Sequence, residues 1–201
     1  MTARPSRGAG AKPGGSAQRI LGVDPGTVVT GWGVVEMLGS SLRHLAHGTI
    51  GSSANLGQGG RLRRIYRGLQ EVIEQYKPER VSLEKVFFAR NAQSALKLGQ
   101  ARGVALLPAA ENGVSVYEYI SAEIKQAVVG YGHASKEQVA MMIGSLLHLS
   151  GKNSADVADA LAAAICCLHE RAFQTRVMAA RAVYASAESP GKTRGLKAAR
   201  E

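Results

Sequence analysis

Asp24, Glu84, Asp156 and Asp159 are the side chains whose types and settings could do chemistry, and the first, third and fourth are the only three aspartates in the chain. Asp24 closes the apolar run Ile20-Leu21-Gly22-Val23 and opens into Pro25-Gly26, where a preset φ and a glycine suit a tight turn. Glu84 closes the alternating stretch Arg80-Val81-Ser82-Leu83. Asp156 and Asp159 stand three apart at the start of a helical run, so they share a face. Taken singly, each has an ordinary reading: a turn residue, a solvent-facing strand end, or first-turn acids favoured by the helix dipole. Their surroundings weigh against that. The helix holding the last two is Ala-Asp-Val-Ala-Asp-Ala-Leu-Ala, apolar enough to be mostly buried, with no neighbouring Lys or Arg to pair the acids. Four converging carboxylates cannot all stay ionised without a counter-charge. Hard oxygen donors without His or Cys select Mg²⁺ or Mn²⁺ over Zn²⁺. Two such ions ~4 Å apart are the usual device for in-line phosphodiester displacement.

The elements that must position these acids follow from periodicity. Strands are expected at 19–24, 30–37 and about 41–50, separated by short turn signals and forming an antiparallel meander. A helix over about 58–76 carries Leu62, Ile65, Leu69, Val72, Ile73 and Tyr76 on one side and ends at Lys77-Pro78. Its other side carries Arg61, Arg63, Arg64 and Arg67, a solvated face by default that could also follow phosphates. A strand at 80–84 precedes a helix capped by Asn91 and running to about 110, in which Gly99 and Gly103 allow close approach inside the fold or across a dimer seam. Another strand spans 114–119. Ser121 is expected to cap a helix to about Val129, and Ser135 with Gln138 makes a capping box for the next. Asn153 or Ser154 caps the last, which is expected to end near Ala172. A meander followed by alternating helix and strand predicts an α/β fold, with a mixed five-stranded sheet and helices on both faces. If strands one and four are parallel neighbours, Asp24 and Glu84 emerge at one sheet edge, where open α/β sheets place their sites.

Composition sets the frame. Length suits one folded domain with tails: 1–18 a disordered basic extension, 19–172 the domain, and 173–201 a basic, disordered tail. The net charge of +10 points to a polyanionic partner. That charge lies mostly at the ends. Residues 1–19 carry four basic and no acidic residues and 171–201 seven against two, leaving 14 against 13 between them. Any nucleic-acid surface of the domain must therefore be a local arrangement. Cys166 and Cys167 are adjacent and poorly placed to bridge, which fits a reducing cytosol. The basic N-terminus lacks the apolar segment of a signal peptide, and the run from Ala160 to Leu168 is too short to span a membrane. A cytoplasmic protein with no membrane partner is expected.

Five stretches in order resemble one family: Leu-Gly-Val-Asp-Pro-Gly-Thr (21–27), Leu-Glu-Lys-Val-Phe (83–87), Ser-Ala-Leu-Lys-Leu-Gly-Gln-Ala-Arg-Gly (94–103), Lys-Gln-Ala-Val-Val-Gly (125–130) and Ala-Asp-Val-Ala-Asp-Ala-Leu-Ala (155–162). They are similar to the RuvC family of bacterial Holliday-junction resolvases, collinear over roughly 19–170. The resemblance implies a ribonuclease H-like fold, with the first three strands antiparallel and the rest parallel. It implies a homodimer that nicks two opposed strands of a four-way DNA junction symmetrically in recombination and repair, leaving 5′-phosphate ends. It makes Asp24, Glu84, Asp156 and Asp159 the catalytic ligands of Mg²⁺, with Mn²⁺ able to substitute and two ions per site. Lys125 and Lys136 match lysines expected at DNA phosphates, and Arg90 and Lys97 are further candidates for DNA contact. Phe87 and Phe88 follow Glu84 and could stack on an opened base at the junction centre, or serve the core. Cooperation with the RuvA–RuvB branch-migration machine is implied as well.

Three other readings compete. A junction-binding module without catalysis would not need four acids. An actin-like or sugar-kinase ATPase shares an Asp-x-Gly-Thr-like turn but needs two half-domains. A related nuclease of ribosomal RNA maturation lacks the Ala-Leu-Lys-Leu-Gly-Gln-Ala-Arg-Gly stretch found here.

Overall fold

The computed structural model describes residues 17–52, 55–85, 91–151 and 154–187. Five strands, β1 (Gln18–Asp24), β2 (Val29–Leu38), β3 (Ser41–Gly51), β4 (Arg80–Glu84) and β5 (Ser115–Tyr119), form one sheet in the order β3-β2-β1-β4-β5. β1 pairs antiparallel with β2, and β2 with β3; β4 lies parallel to β1, and β5 to β4. Between them run α1 (Gln58–Tyr76), α2 (Ala92–Glu111), α3 (Ser121–Val129), α4 (Lys136–Leu146) and α5 (Ala155–Ala187). This is the mixed five-stranded sheet that the meander and the following alternation predict, with the ribonuclease H-like arrangement that the family resemblance implies.

Side-chain alternation along each strand divides the layers. Leu21, Val23, Val81 and Leu83 point to one face and join Ile65, Leu69 and Ile73 of α1 and Ala101 and Ala105 of α2 in a single apolar core. On the opposite face of β1 and β2, Gly22, Gly31 and Gly33 leave the stretch near Asp24 without side chains. A Cβ on Gly22 would lie 1.8 Å from the carbonyl oxygen of Ala160, and one on Gly31 2.1 Å from that of Asp156. Such distances are open only to glycine, so α5 lies directly on the sheet. Ser82, fully buried, donates its hydroxyl to the Ala163 carbonyl at 2.7 Å and ties β4 to the same helix.

The buried carboxylate on β2 is matched by two arginines. Glu36 on β2 is buried at 1% exposure, between Arg19 of β1 (2.9 Å) and Arg43 of β3. Burial alone would raise its carboxyl, but the two arginine hydrogen bonds and charges outweigh that and hold it below the ordinary range.

Three helix ends refine the reading of the sequence. Ser121 is the first residue of α3 and not its cap; the Glu123 carboxylate takes that role, accepting from the Ile120 N–H at 2.8 Å. Ser154 caps α5, its hydroxyl accepting from the Val157 N–H at 3.3 Å. α5 continues to Ala187 rather than ending near Ala172. Its Ala- and Arg-rich sequence has high helix propensity, and no Gly or Pro interrupts it before Pro190. The chain divides into two units at Leu168. The described part of the second is this continuation of α5, which exposes Phe173, Met178 and Tyr184.

Candidate metal centre and nucleic-acid face

The parallel register of β1 and β4 assembles the site. Gly22 lies beside Ser82 and Val23 beside Leu83, so the next pair along the two strands is Asp24 and Glu84. By alternation both carboxylates share the face of Gly22 and Ser82, the face that α5 covers. Across β1 and β2, Asp24 pairs with Gly31, the glycine that lets the Asp156 backbone down onto the sheet. Asp159 follows within the same first turn. A parallel crossover and one helix seated on glycine thus bring together four acids from residues 24 to 159.

The turn after Asp24 is held by Thr30. This fully buried residue donates its hydroxyl to the Gly26 carbonyl at 2.8 Å and accepts from the Gly26 N–H at 3.3 Å. Gly26 itself is pressed so close to Val29 that a Cβ would stand 2.2 Å from its carbonyl oxygen.

Electrostatics record the convergence. The Asp24 carboxyl is pushed up to about 7, first by burial and then by Asp159, Asp156 and Glu84, with Lys136 opposing them. Lys136, the first residue of α4, donates to Asp159 at 3.0 Å, and that bond and charge raise its own ammonium above the usual value. Lys136 and Lys125 line a cavity of about 120 Å³ together with Glu84 and Asp159. On the other side, Lys97 and Ser94 of α2 line a cleft of about 480 Å³ with Gly26, Thr27 and Asp156. Three of the lysines named from the sequence therefore border the acids. Phe87, Phe88 and Arg90 lie outside the described residues.

The donor set suits a hard divalent cation: one buried carboxylate unwilling to ionise alone, three more within electrostatic reach, and no thiol or imidazole among them. Among the described residues no three acidic, histidine or cysteine side chains are yet drawn close enough together to hold an ion. One oxygen of Asp159, Oδ2, accepts from Lys136.

One residue at the site escaped the sequence reading. Arg102 of α2 donates to the Glu84 carbonyl oxygen at 2.7 Å and pairs with Glu118 of β5. It fixes the end of the strand that carries Glu84. The signal was a lone arginine on an otherwise apolar and small-residue helix, within Gly-Gln-Ala-Arg-Gly.

Comparison with known proteins agrees with this arrangement. Residues 20–167 match the family model for crossover junction endodeoxyribonuclease RuvC. A RuvC of Geobacter sulfurreducens is 51% identical over 148 residues, 74% of this chain and 90% of the relative. One from Alkalilimnicola ehrlichii is 48% identical over 167 residues, 82% of this chain and 99% of the relative. Among solved structures, T. thermophilus RuvC in complex with Holliday junction substrate superposes with a TM-score of 0.75 at 36% identity, covering 79% of this chain and 97% of that one. With the family model spanning most of the chain and relatives near half identity covered almost end to end, this chain belongs to the RuvC family of crossover junction endodeoxyribonucleases.

Proposed function

We propose that the protein resolves four-way DNA junctions, hydrolysing one phosphodiester in each of two opposed strands during recombination and repair. The observation that carries this is the strand register and helix seating that bring Asp24 and Glu84 to one sheet edge beside Asp156 and Asp159 in a chain of this family, with the raised Asp24 carboxyl in keeping. The same match, together with four acids gathered at one sheet edge, weighs against a junction binder without catalysis and against a nuclease acting on RNA.

Asp24, Glu84, Asp156 and Asp159 are the groups that would hold Mg²⁺, or Mn²⁺ in its place. Two ions would supply a water of lowered pKa for attack and stabilise the leaving 3′-oxygen, giving 5′-phosphate ends. Asp24 would be central to that set, since it is buried and the charges of the other three acids act on it. Lys136 and Lys125 present positive charge in the cavity beside Glu84 and Asp159, where a scissile phosphate would develop charge. Lys97 flanks the cleft beside Asp156 and is suited to a phosphate of the same strand. Arg90, Phe87 and Phe88 follow Glu84 closely in sequence and are assigned to the DNA on that ground alone.

A homodimer supports paired cuts. Leu96, Gly99, Gly103 and Leu107 form one exposed stripe on α2; the leucines are 68% and 49% exposed, and open space surrounds both glycine Cα atoms. A small-residue stripe between exposed leucines suits close helix packing against a second copy. No described helix is long and apolar enough to cross a membrane, which supports placement in the bacterial cytoplasm, where the RuvA–RuvB machine would be its partner. The basic segments 1–18 and 173–201 are assigned as appendages to a nuclease domain at 19–172.

The test is a labelled four-way junction beside a linear duplex and a structured RNA, each incubated with Mg²⁺ or EDTA. Paired, Mg²⁺-dependent nicks in the junction alone are expected. Asp24→Asn should bind the junction and leave it uncut; cleavage by that variant would remove Asp24 from the site.

A further inference from the structure

A second concentration of positive charge lies on the opposite layer, where the established family activity assigns nothing. Arg63, Arg64 and Arg67 of α1 are exposed and line one open groove of about 480 Å³ against the end of β3. Its wall is shaped by a close approach: a Cβ on Gly68 would come within 2.7 Å of the Ile50 side chain, so the helix sits low against β3 and the arginines stand beside the sheet edge. Unlike Arg19, Arg43 and Arg102, which are committed to Glu36 or Glu118, these three make no ion pair or hydrogen bond among the described residues. Glu71 is the one carboxylate lining the groove, and it is not bonded to them.

Position decides what the groove would meet. Thr49, which lines it, pairs with Gly31, and Gly31 pairs with Asp24. Thr49 at the β3 edge and Asp24 thus stand in one cross-strand row, two strand spacings or about 10 Å apart. α1 also begins at this end of the sheet, so the arginines share that end with the acids across the sheet, where an arm passing the β3 edge would meet them. Three unpaired guanidiniums in a row with single-residue and three-residue gaps fit a line of phosphates better than one compact anion. The core of the chain is nearly neutral, so this local charge is not a by-product of bulk composition.

We propose that Arg63, Arg64 and Arg67 form a sequence-independent track for the phosphate backbone of a duplex arm leaving the cleavage centre. The track rests on the junction-cleaving function proposed above and adds a second contact region to it. It supplies affinity and arm orientation, and no group in it touches the reacting phosphate.

The experiment compares wild-type protein with R63Q/R64Q/R67Q, and with Arg64→Glu alone, on a fluorescent four-way junction without divalent cation. Affinity is measured across salt from about 50 to 200 mM, the range over which phosphate contacts weaken most visibly. The triple variant is expected to bind roughly tenfold or more weakly at the low end. The slope of log affinity against log salt should flatten by about 2 to 3, close to 0.9 for each lost phosphate contact. Arg64→Glu should weaken binding by itself, while thermal melts of it and of the triple variant remain close to wild type because the residues lie outside the core. Wild-type affinity and slope in a folded triple variant would overturn the track, whether the groove proves empty or holds an acidic protein. That result would leave the proposed function standing if Mg²⁺-dependent nicking persists. A wild-type protein that neither binds nor nicks the junction would instead remove the function itself.

Discussion

Asp24 carries a conflict between stability and use. An aspartate in the unfolded chain titrates near 3.8, whereas burial and three neighbouring acids push the folded group up to about 7. Between these values the unfolded chain has lost a proton that the folded chain still holds. Stability of the metal-free protein should therefore fall as pH rises from about 4 to 7 through this one group, then level off. A shift of this size corresponds to roughly 4 kcal/mol at most, reduced by the solvent that still reaches the site. Asp24→Asn is thus expected to stabilise the metal-free protein by a few kcal/mol near pH 8 while abolishing cleavage, with the gain gone near pH 4. Denaturant unfolding at the two pH values in EDTA checks it; an equal effect at both would detach the cost from the charge. Glu36 runs the other way. Its paired carboxyl lies below the ordinary value, so its contribution is present above the unfolded pKa and lost on acidification. Of the residue-scale features, the three aspartates stood out because aspartate is so rare in this chain, and Glu84 because it closes an alternating strand. Arg102 and Thr30 were not, because their partners lie on other elements or inside a turn whose path only the fold defines.

At the scale of elements, α5 and β1 act as one device. Gly22 and Gly31 remove every atom that would hold the helix away, and Ala160 and Ala164 present small residues to the gap. The result is that Asp156 and Asp159 are delivered to the strand ends carrying Asp24 and Glu84. Gly22→Ala places a methyl 1.8 Å from the Ala160 carbonyl oxygen, a clash with backbone that no rotamer relieves. Overpacking of this kind costs about 1 to 3 kcal/mol, and here it also displaces the acids. Calorimetric melting should fall by several degrees, and Mg²⁺-dependent stabilisation should weaken further than the melt alone explains. A destabilised variant with wild-type response to Mg²⁺ would show that α5 shifts without carrying its acids. The strands, the helices and the caps at Asn91, Ser135 and Ser154 were readable from period and capping chemistry, since those depend on neighbours in sequence, whereas Ser121 proved to be the first residue of its helix and not the cap. The end of α5 was misjudged because a change to Ala- and Arg-rich composition signals loss of core and not loss of helix.

At the scale of the whole molecule, symmetry is the remaining question. Two opposed strands need two sites, and the α2 stripe of Leu96, Gly99, Gly103 and Leu107 is the exposed surface suited to joining copies. If the proposed homodimer forms through this stripe, Leu96→Glu with Leu107→Glu buries like charges at the seam, and sedimentation should show dimer for the wild type and monomer for the variant. The monomer should nick singly, leaving junctions unresolved, while linear products persist only with the wild type. A dimer that survives both substitutions would place the seam elsewhere.

The sequence by itself determined the inventory and its chemistry: which acids are available, that they are oxygen donors without nitrogen or sulfur beside them, and that each stands at the end of a strand or the start of a helix. It also carried the family, because the motifs keep their order. Tertiary structure alone decided adjacency. Parallel pairing of β1 with β4 joins residues some sixty positions apart, a contact no local propensity encodes. The glycine-lined face that admits α5, the pairing of Lys136 with Asp159, and the arginine groove whose Thr49 stands in the row of Asp24 are likewise products of packing. Asp24 acquires its unusual carboxyl only there, since burial and three like charges are properties of the folded neighbourhood and not of the residue.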